Sequence, residues 1–221
     1  GALPQAWRYR DWVVAALNHD LPYNEFVRQQ IAGDLLEEPR KTAAATGFFA
    51  VGPTYRSDGG DPESKAQAQA ETLSDRVDTF SRAFLGLTAA CARCHDHKFD
   101  PITARDYYAL AGVFNNSNVR EFPLAEAGEV KGYEKWQKRM GDLDRRIKAL
   151  PRTAKKANRS LTKKENEDLA TWKQELAELK KATPKKYEFV HSLGDSGRAN
   201  MNVAIRGDLR KKGELVHRRF L

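Results

Sequence analysis

The chain has 221 residues, with 38 Lys and Arg against 30 Asp and Glu, a formal charge of +8. Apolar residues make up 40% and charged residues 31%. That is enough to build a core and too much for a disordered chain. No run of 18 apolar residues occurs, which excludes a membrane-spanning helix. No charged-then-apolar leader opens the sequence, and Gly1-Ala2-Leu3-Pro4 reads as the edge of a fragment.

The charge is unevenly spread. Residues 131–186 hold 18 basic and 8 acidic residues, a balance of +10, and the remainder is at −2. The excess belongs to one segment, so the composition does not point to a nucleic-acid-coated surface. The basic segment suits contact with an acidic partner.

In chain order, Gln5–Asp20 reads as a helix, with Trp7, Val14 and Leu17 at helical spacing. Leu21-Pro22 breaks it. Asn24 can cap a second helix, Glu25–Leu36, striped by Val27, Ile31 and Leu35. Gly52–Ser64 is loop chemistry. A long amphipathic helix is then expected from Ser64 to Cys94, its ridge formed by Leu73, Val77, Phe80, Phe84 and Leu87. Gly86 interrupts it at a cost of about 1 kcal/mol. Glu71, Asp75 and Asp78 line one side of it as a solvated face or a site. Thr103-Ala104-Arg105-Asp106 resembles a capping box and starts a helix through Phe114. Two charged helices follow around a break at Pro151, with Arg152–Asn158 as an exposed linker. Their stripes, Trp136/Met140/Leu143/Ile147 and Leu169/Trp172/Leu176/Leu179, suit an antiparallel hairpin. The tail, with Tyr187–Val190 and Met201–Ile205, reads as two or three short strands.

The two cysteines, Cys91 and Cys94, stand three apart, and His95 follows at once. On a helix, Cys91, Cys94 and His95 share a face. Two thiols so placed can add across the vinyl groups of a haem, with His95 as proximal iron ligand. Phe80, Phe84, Tyr107, Tyr108 and Phe114 are the expected haem walls. Arg93 can pair with a propionate. Two other uses of the same residues stand beside this one. Cys91 and Cys94 can form a disulfide, or zinc can take Cys91, Cys94 and either His95 or His97 with a fourth ligand from elsewhere. Candidates for a distal haem ligand are Met140, Met201 and His191, with His19, His97 and His217 behind them. An open sixth position is the remaining option. Asp96 and Asp100 read as turn caps or as partners that orient a histidine.

The block from Cys91 to Ile102 (Cys-Ala-Arg-Cys-His-Asp-His-Lys-Phe-Asp-Pro-Ile) and Asp106–Phe114 resemble the planctomycete cytochrome c-associated family of unknown function. So do Tyr9–Val13 with Asp20–Tyr23, Phe26–Leu36 and Phe84–Thr88. The tail from Ile205 to Leu221 is similar to the junction that leads into that family's C-terminal partner domain. His217-Arg218 departs from the pattern there. The resemblance implies a fragment of a larger exported protein, periplasmic or at the cell surface, with a covalent haem c. Its reaction is unsettled in that family.

The expected fold is mainly α: a helical c-type-haem-like domain over 1–125, a projecting charged hairpin over 126–186, and a short β-rich segment over 187–221. The expected function is electron transfer or redox chemistry. A redox partner protein or other domains of the same polypeptide would be the partner. A zinc-stabilised interaction module is the alternative.

Overall fold

The computed structural model describes residues 3–221. The chain is mainly α-helical and divides into two compact units. One joins residues 1–122 to 190–221, and the other is residues 123–189.

In the first unit, α1 (Trp7–Asn18) and α2 (Tyr23–Ala32) are followed by two single-turn helices, α3 (Pro39–Thr42) and α4 (Gly47–Ala50). The second helix starts at Tyr23, with Pro22 rather than Asn24 in the cap position, and stops short of Leu36. Gly33, a poor helix residue, opens a 3₁₀ turn to Leu35. Helix α5 (Pro62–Phe80) begins where Asp61 accepts hydrogen bonds from the Glu63 and Ser64 amides, with Pro62 at its first position.

The expected helix from Ser64 to Cys94 is corrected here. Regular α-helix ends at Phe80, a π-type turn covers Ser81–Leu85, and Gly86 at φ +66° terminates it. The reason is steric. Only glycine enters this left-handed conformation freely, so Gly86 stops the helix instead of being absorbed by it. The Leu87 amide donates to the Ser81 carbonyl and closes the end.

Helix α6 (Ala104–Asn115) has the expected capping box, in which Thr103 and Asp106 each receive the other's backbone amide. Leu73, Val77 and Phe80 of α5 meet Tyr107, Tyr108, Leu110, Ala111 and Phe114 of α6 in the core. Their rings lock edge to face: Phe80 lies 5.9 Å from Phe114, and Tyr107 lies 4.9 Å from Tyr108.

Strand β1 (Ser117–Pro123), not foreseen, pairs with β2 (Phe189–Asp195). The expected tail strands appear as β2, β3 (Met201–Ala204) and β4 (Lys212–Val216). The last two are antiparallel, with Met201 opposite Val216 and Ala204 opposite Lys212. Met201, Ala204 and Val216 bury against the helical core.

In the second unit, α7 (Ala127–Lys156) and α8 (Lys163–Lys181) form the charged hairpin. The expected break at Pro151 is corrected: α7 runs through Pro151 to Lys156. The non-helical connection is residues 157–162, not Arg152–Asn158. Proline removes one amide and is costly inside a helix. The surrounding turns hold nonetheless, with Leu143 and Ala154 buried on the inner stripe. Trp136 Nε1 donates to the Leu179 carbonyl at 3.0 Å, and Arg139 forks onto Glu175 at 2.6 and 2.8 Å.

Candidate functional site

Because α5 ends early, the Cys-His motif does not sit on an α-helix. Ala89–Arg93 is a 3₁₀ turn, Cys94 caps it, and His95 lies in the loop beyond. Cys91 lies within the turn, whereas Cys94 lies at its end with its sulfur against Gly207. Both thiols are free and both residues are exposed.

His95 is exposed, and its Nδ1 lies 2.7 Å from the Asp96 carbonyl oxygen. A carbonyl can only accept, so Nδ1 carries the proton. The lone pair therefore sits on Nε2, which is the atom a metal takes.

His97 does different work. Its side chain is 5% exposed. Its Nδ1 accepts the Phe99 and Asp100 amides at 3.2 and 2.8 Å. Nε2 therefore carries the proton and donates to Thr88 Oγ1 at 3.0 Å. The Asp100 carboxylate, 3.4 Å from Nδ1, faces an accepting nitrogen and is no ion-pair partner in this state. The His97 amide also donates to the Ile102 carbonyl, and Asp96 Oδ1 receives the Ala104 amide at 2.8 Å. His97 and Asp96 thus staple the loop between the 3₁₀ turn and α6.

Two further contacts hold the motif from afar. Tyr108 of α6 donates its hydroxyl to the Arg93 carbonyl at 3.0 Å. Burial pushes the Tyr108 phenol up, so it remains a donor. Gly207, at φ +78°, lies against both Cys94 and Arg93, and Arg93 Nη2 reaches its carbonyl at 3.5 Å. Sequence reasoning missed both contacts. Nothing local joins Gly207 to a cysteine 113 positions away.

The remaining expected ligands are scattered. Met201 opens β3 and is buried in the core. His191 is buried on β2, and its Nε2 accepts the Gln5 amide at 3.3 Å. Met140 belongs to the hairpin unit. His19 caps the C-terminus of α1 and contacts the Ala15 carbonyl, and His217 contacts Asn200.

Cys91 borders an open recess of about 620 Å³ walled by Glu71, Asp75, Asp78 and Arg82. The acidic face of α5 thus belongs to the same surface as the thiol. Burial and the neighbouring Asp78 raise the Asp75 pKa. Arg93 borders both this recess and a second one that contains Arg206 and Arg210.

The donors fit thioether attachment of a haem: two free exposed thiols and an imidazole with an open Nε2. The expected aromatic walls do not line this recess. Phe80, Tyr107, Tyr108 and Phe114 are spent on the core. The recess beside Cys91 is polar and open to water. Zinc fits less well. Among the described residues, no three His, Cys, Asp or Glu side chains converge to hold a metal ion, and both His97 nitrogens are engaged.

The architecture and site define a mainly α-helical domain that carries an exposed Cys-x-x-Cys-His loop on a packed core. The chain belongs to the PSCyt2 family, a family of proteins of unknown function (DUF1549), whose model matches residues 2–119. The match includes the whole Cys-His loop and α6 and stops before the hairpin and the tail. No curated protein and no solved structure matches the chain.

Proposed function

We propose that this chain is a c-type haem module, with electron transfer or redox chemistry as its task in a larger exported protein at the periplasm or cell surface. Cys91 and Cys94 provide the thioether anchors, and His95 provides Nε2 to the iron. The observation that carries this reading is the His95 tautomer. The Asp96 carbonyl takes the proton on Nδ1, and that leaves the ligating lone pair on Nε2 of an exposed residue next in sequence to two free, exposed cysteines. A bound haem supplies one-electron exchange.

The chain's own residues do the rest. His97 and Thr88 hold the loop's path, and Tyr108 fixes the Arg93 carbonyl. Arg93 is placed to meet a propionate. Cys91 borders a polar, water-open recess, and solvent exposure is one of the levers that would set the potential of a haem held there.

An acidic redox partner suits the hairpin end. Residues 145–164 carry nine Lys or Arg and no Asp or Glu, and all nine are exposed. Such a field steers association more than it sets affinity.

The test is to export the protein from a host that attaches c-type haem, then record mass and absorption. The expected result is a mass gain of one haem and a Soret band that survives acid–acetone extraction. Cys91→Ala with Cys94→Ala abolishes both, and His95→Ala keeps the mass but alters the spectrum. Two free thiols with no added mass overturn the reading.

A further inference from the structure

A further recess, of about 360 Å³, opens in the first unit, and no residue of the Cys-His loop lines it. Its floor is phenylalanine. The rings of Phe49, Phe80 and Phe114 stand 5.2 to 6.4 Å from one another. Phe220 of the tail meets Phe80 edge-on at 5.9 Å. Phe49, Phe80 and Phe114 are buried in the core, and rings at these spacings hold one another in place. The floor is therefore preformed. Phe80 and Phe114, expected to wall a haem, serve this recess instead.

The mouth is apolar as well. Ile31, Leu35, Val113 and Phe220 are exposed, and all four line this one recess. A single exposed apolar residue is ordinary. Four around one opening make the kind of patch that marks a binding site. Close-packed interiors leave few voids larger than a water molecule, whereas this volume falls in the range of small-molecule pockets. A partner helix, about 10 Å across with its side chains, is too broad to enter it.

Among the described residues, the polar side chains that line it are Asp34, Ser117 and Asp195. All three offer acceptors. A carboxylate only accepts. Ser117 Oγ donates its one proton to the Val113 carbonyl at 3.1 Å, which leaves its lone pairs for a ligand. The Asp34 side chain is 5% exposed, and Arg120 holds its Oδ2 at 2.8 Å. Asp195 is exposed at the end of β2. An occupant that brings a donor is matched by this lining. An anion is not, because it would meet two carboxylates and no lining cation.

We propose that this recess binds a small alkylated phenol, with the ring and alkyl group on the phenylalanine floor and the hydroxyl donated to the acceptors of the lining. A phenol keeps its proton and stays uncharged at pH 7, as tyrosine does. An amine also donates, but its ammonium charge loses more hydration beside an apolar floor. The site is independent of the haem reading.

The test is titration calorimetry on the full chain with 4-propylphenol, phenol, 4-propylanisole, 4-propylbenzoate and 4-propylbenzylamine as probes. 4-Propylphenol is expected to bind saturably, and phenol at least roughly tenfold more weakly, since each buried methylene is worth roughly fourfold. 4-Propylanisole has no proton to donate and is expected to bind at least roughly threefold more weakly than the phenol, because the acceptors it faces then go unmatched. The benzoate and the benzylamine are expected to be weaker still. Phe220→Ala removes one wall and should weaken 4-propylphenol about fivefold. Val113→Ala, at an exposed helix position that alanine suits, should weaken it about threefold. Should Phe220→Ala fail to fold, Val113→Ala decides alone. No saturable binding of 4-propylphenol overturns the proposal. So does equal binding of the anisole, the benzoate or the benzylamine, or unchanged affinity in either folded variant. A parent dimer in sedimentation that Leu35→Glu dissociates would seat a second copy on the mouth and overturn it too.

Discussion

Cys94 Sγ stands so close to Gly207 that a Cβ at position 207 would lie 2.8 Å from it. The second cysteine of the motif is therefore seated on backbone from the far end of the chain. Gly207 follows Arg206, itself at φ +53°, in a turn where two successive residues are left-handed. Glycine is required twice over, for its conformation and for the sulfur's approach.

Gly207→Ala is expected to destabilise the first unit by about 2 kcal/mol, from left-handed strain plus the sulfur contact. The melting temperature should fall by several degrees. In the background of Cys94→Ala, part of that loss should vanish, because the sulfur is gone and only the backbone strain remains. Thermal melts of the two single variants and the double variant measure the coupling. Strictly additive losses would show that the contact carries no energy.

His97 is expected to be structural rather than a ligand. His97→Ala removes an acceptor for two amides and a donor to Thr88, and should cost about 3 kcal/mol. His97→Asn, whose side-chain oxygen can accept one of those amides, should recover part of it. Hydrogen exchange at the Phe99 and Asp100 amides reads the effect locally. Unchanged protection in His97→Ala would refute the staple.

The hairpin has a pH-sensitive cap. Glu165 receives the Thr162 amide at 2.8 Å and a fork from Arg159. The Arg159 hydrogen bond, followed by the Thr162 amide, holds its pKa down at about 2. A carboxylate lowered on folding stabilises at pH above its unfolded value, near 4.3. That contribution is lost as pH falls from there to about 2. Glu165→Gln should therefore reduce helical signal and melting temperature at pH 7, and match the parent near pH 2. Circular dichroism across pH 7 to 2 checks this. A gap that persists at pH 2 would mean the glutamate charge is not what matters.

Pro151 sits inside α7 with no amide to give. Pro151→Ala restores that hydrogen bond and should raise the melting temperature of the hairpin, since proline in a helix interior costs about 3 kcal/mol. A lower melting temperature would mean that the proline's stiffening of the unfolded chain outweighs the missing bond.

The comparison of sequence and structure divides by range. The Thr103–Asp106 capping box was legible because its partners lie three residues apart and bond to each other's backbone. The hairpin stripes were legible because helical periodicity repeats within each helix. The Cys91, Cys94 and His95 spacing was legible because it is a local motif, but the α-helix expected to carry it ends before it. There, Leu73, Val77 and Phe80 continue in phase into Phe84 and Leu87, and the periodicity hid the left-handed glycine that ends α5.

By itself, then, the sequence determined the mainly helical character, the starts of α6 and the hairpin, and the presence of two thiols beside an imidazole. These depend on bonds and periods that close within about one turn of chain. Only tertiary structure decided the seating of Cys94 on Gly207, the pairing of β1 with β2, the use of the aromatic ridge as core, and the burial of Arg76. Each joins residues about 40 to more than 100 positions apart, or depends on which surfaces lose water, and no local pattern encodes what the folded chain will bring alongside.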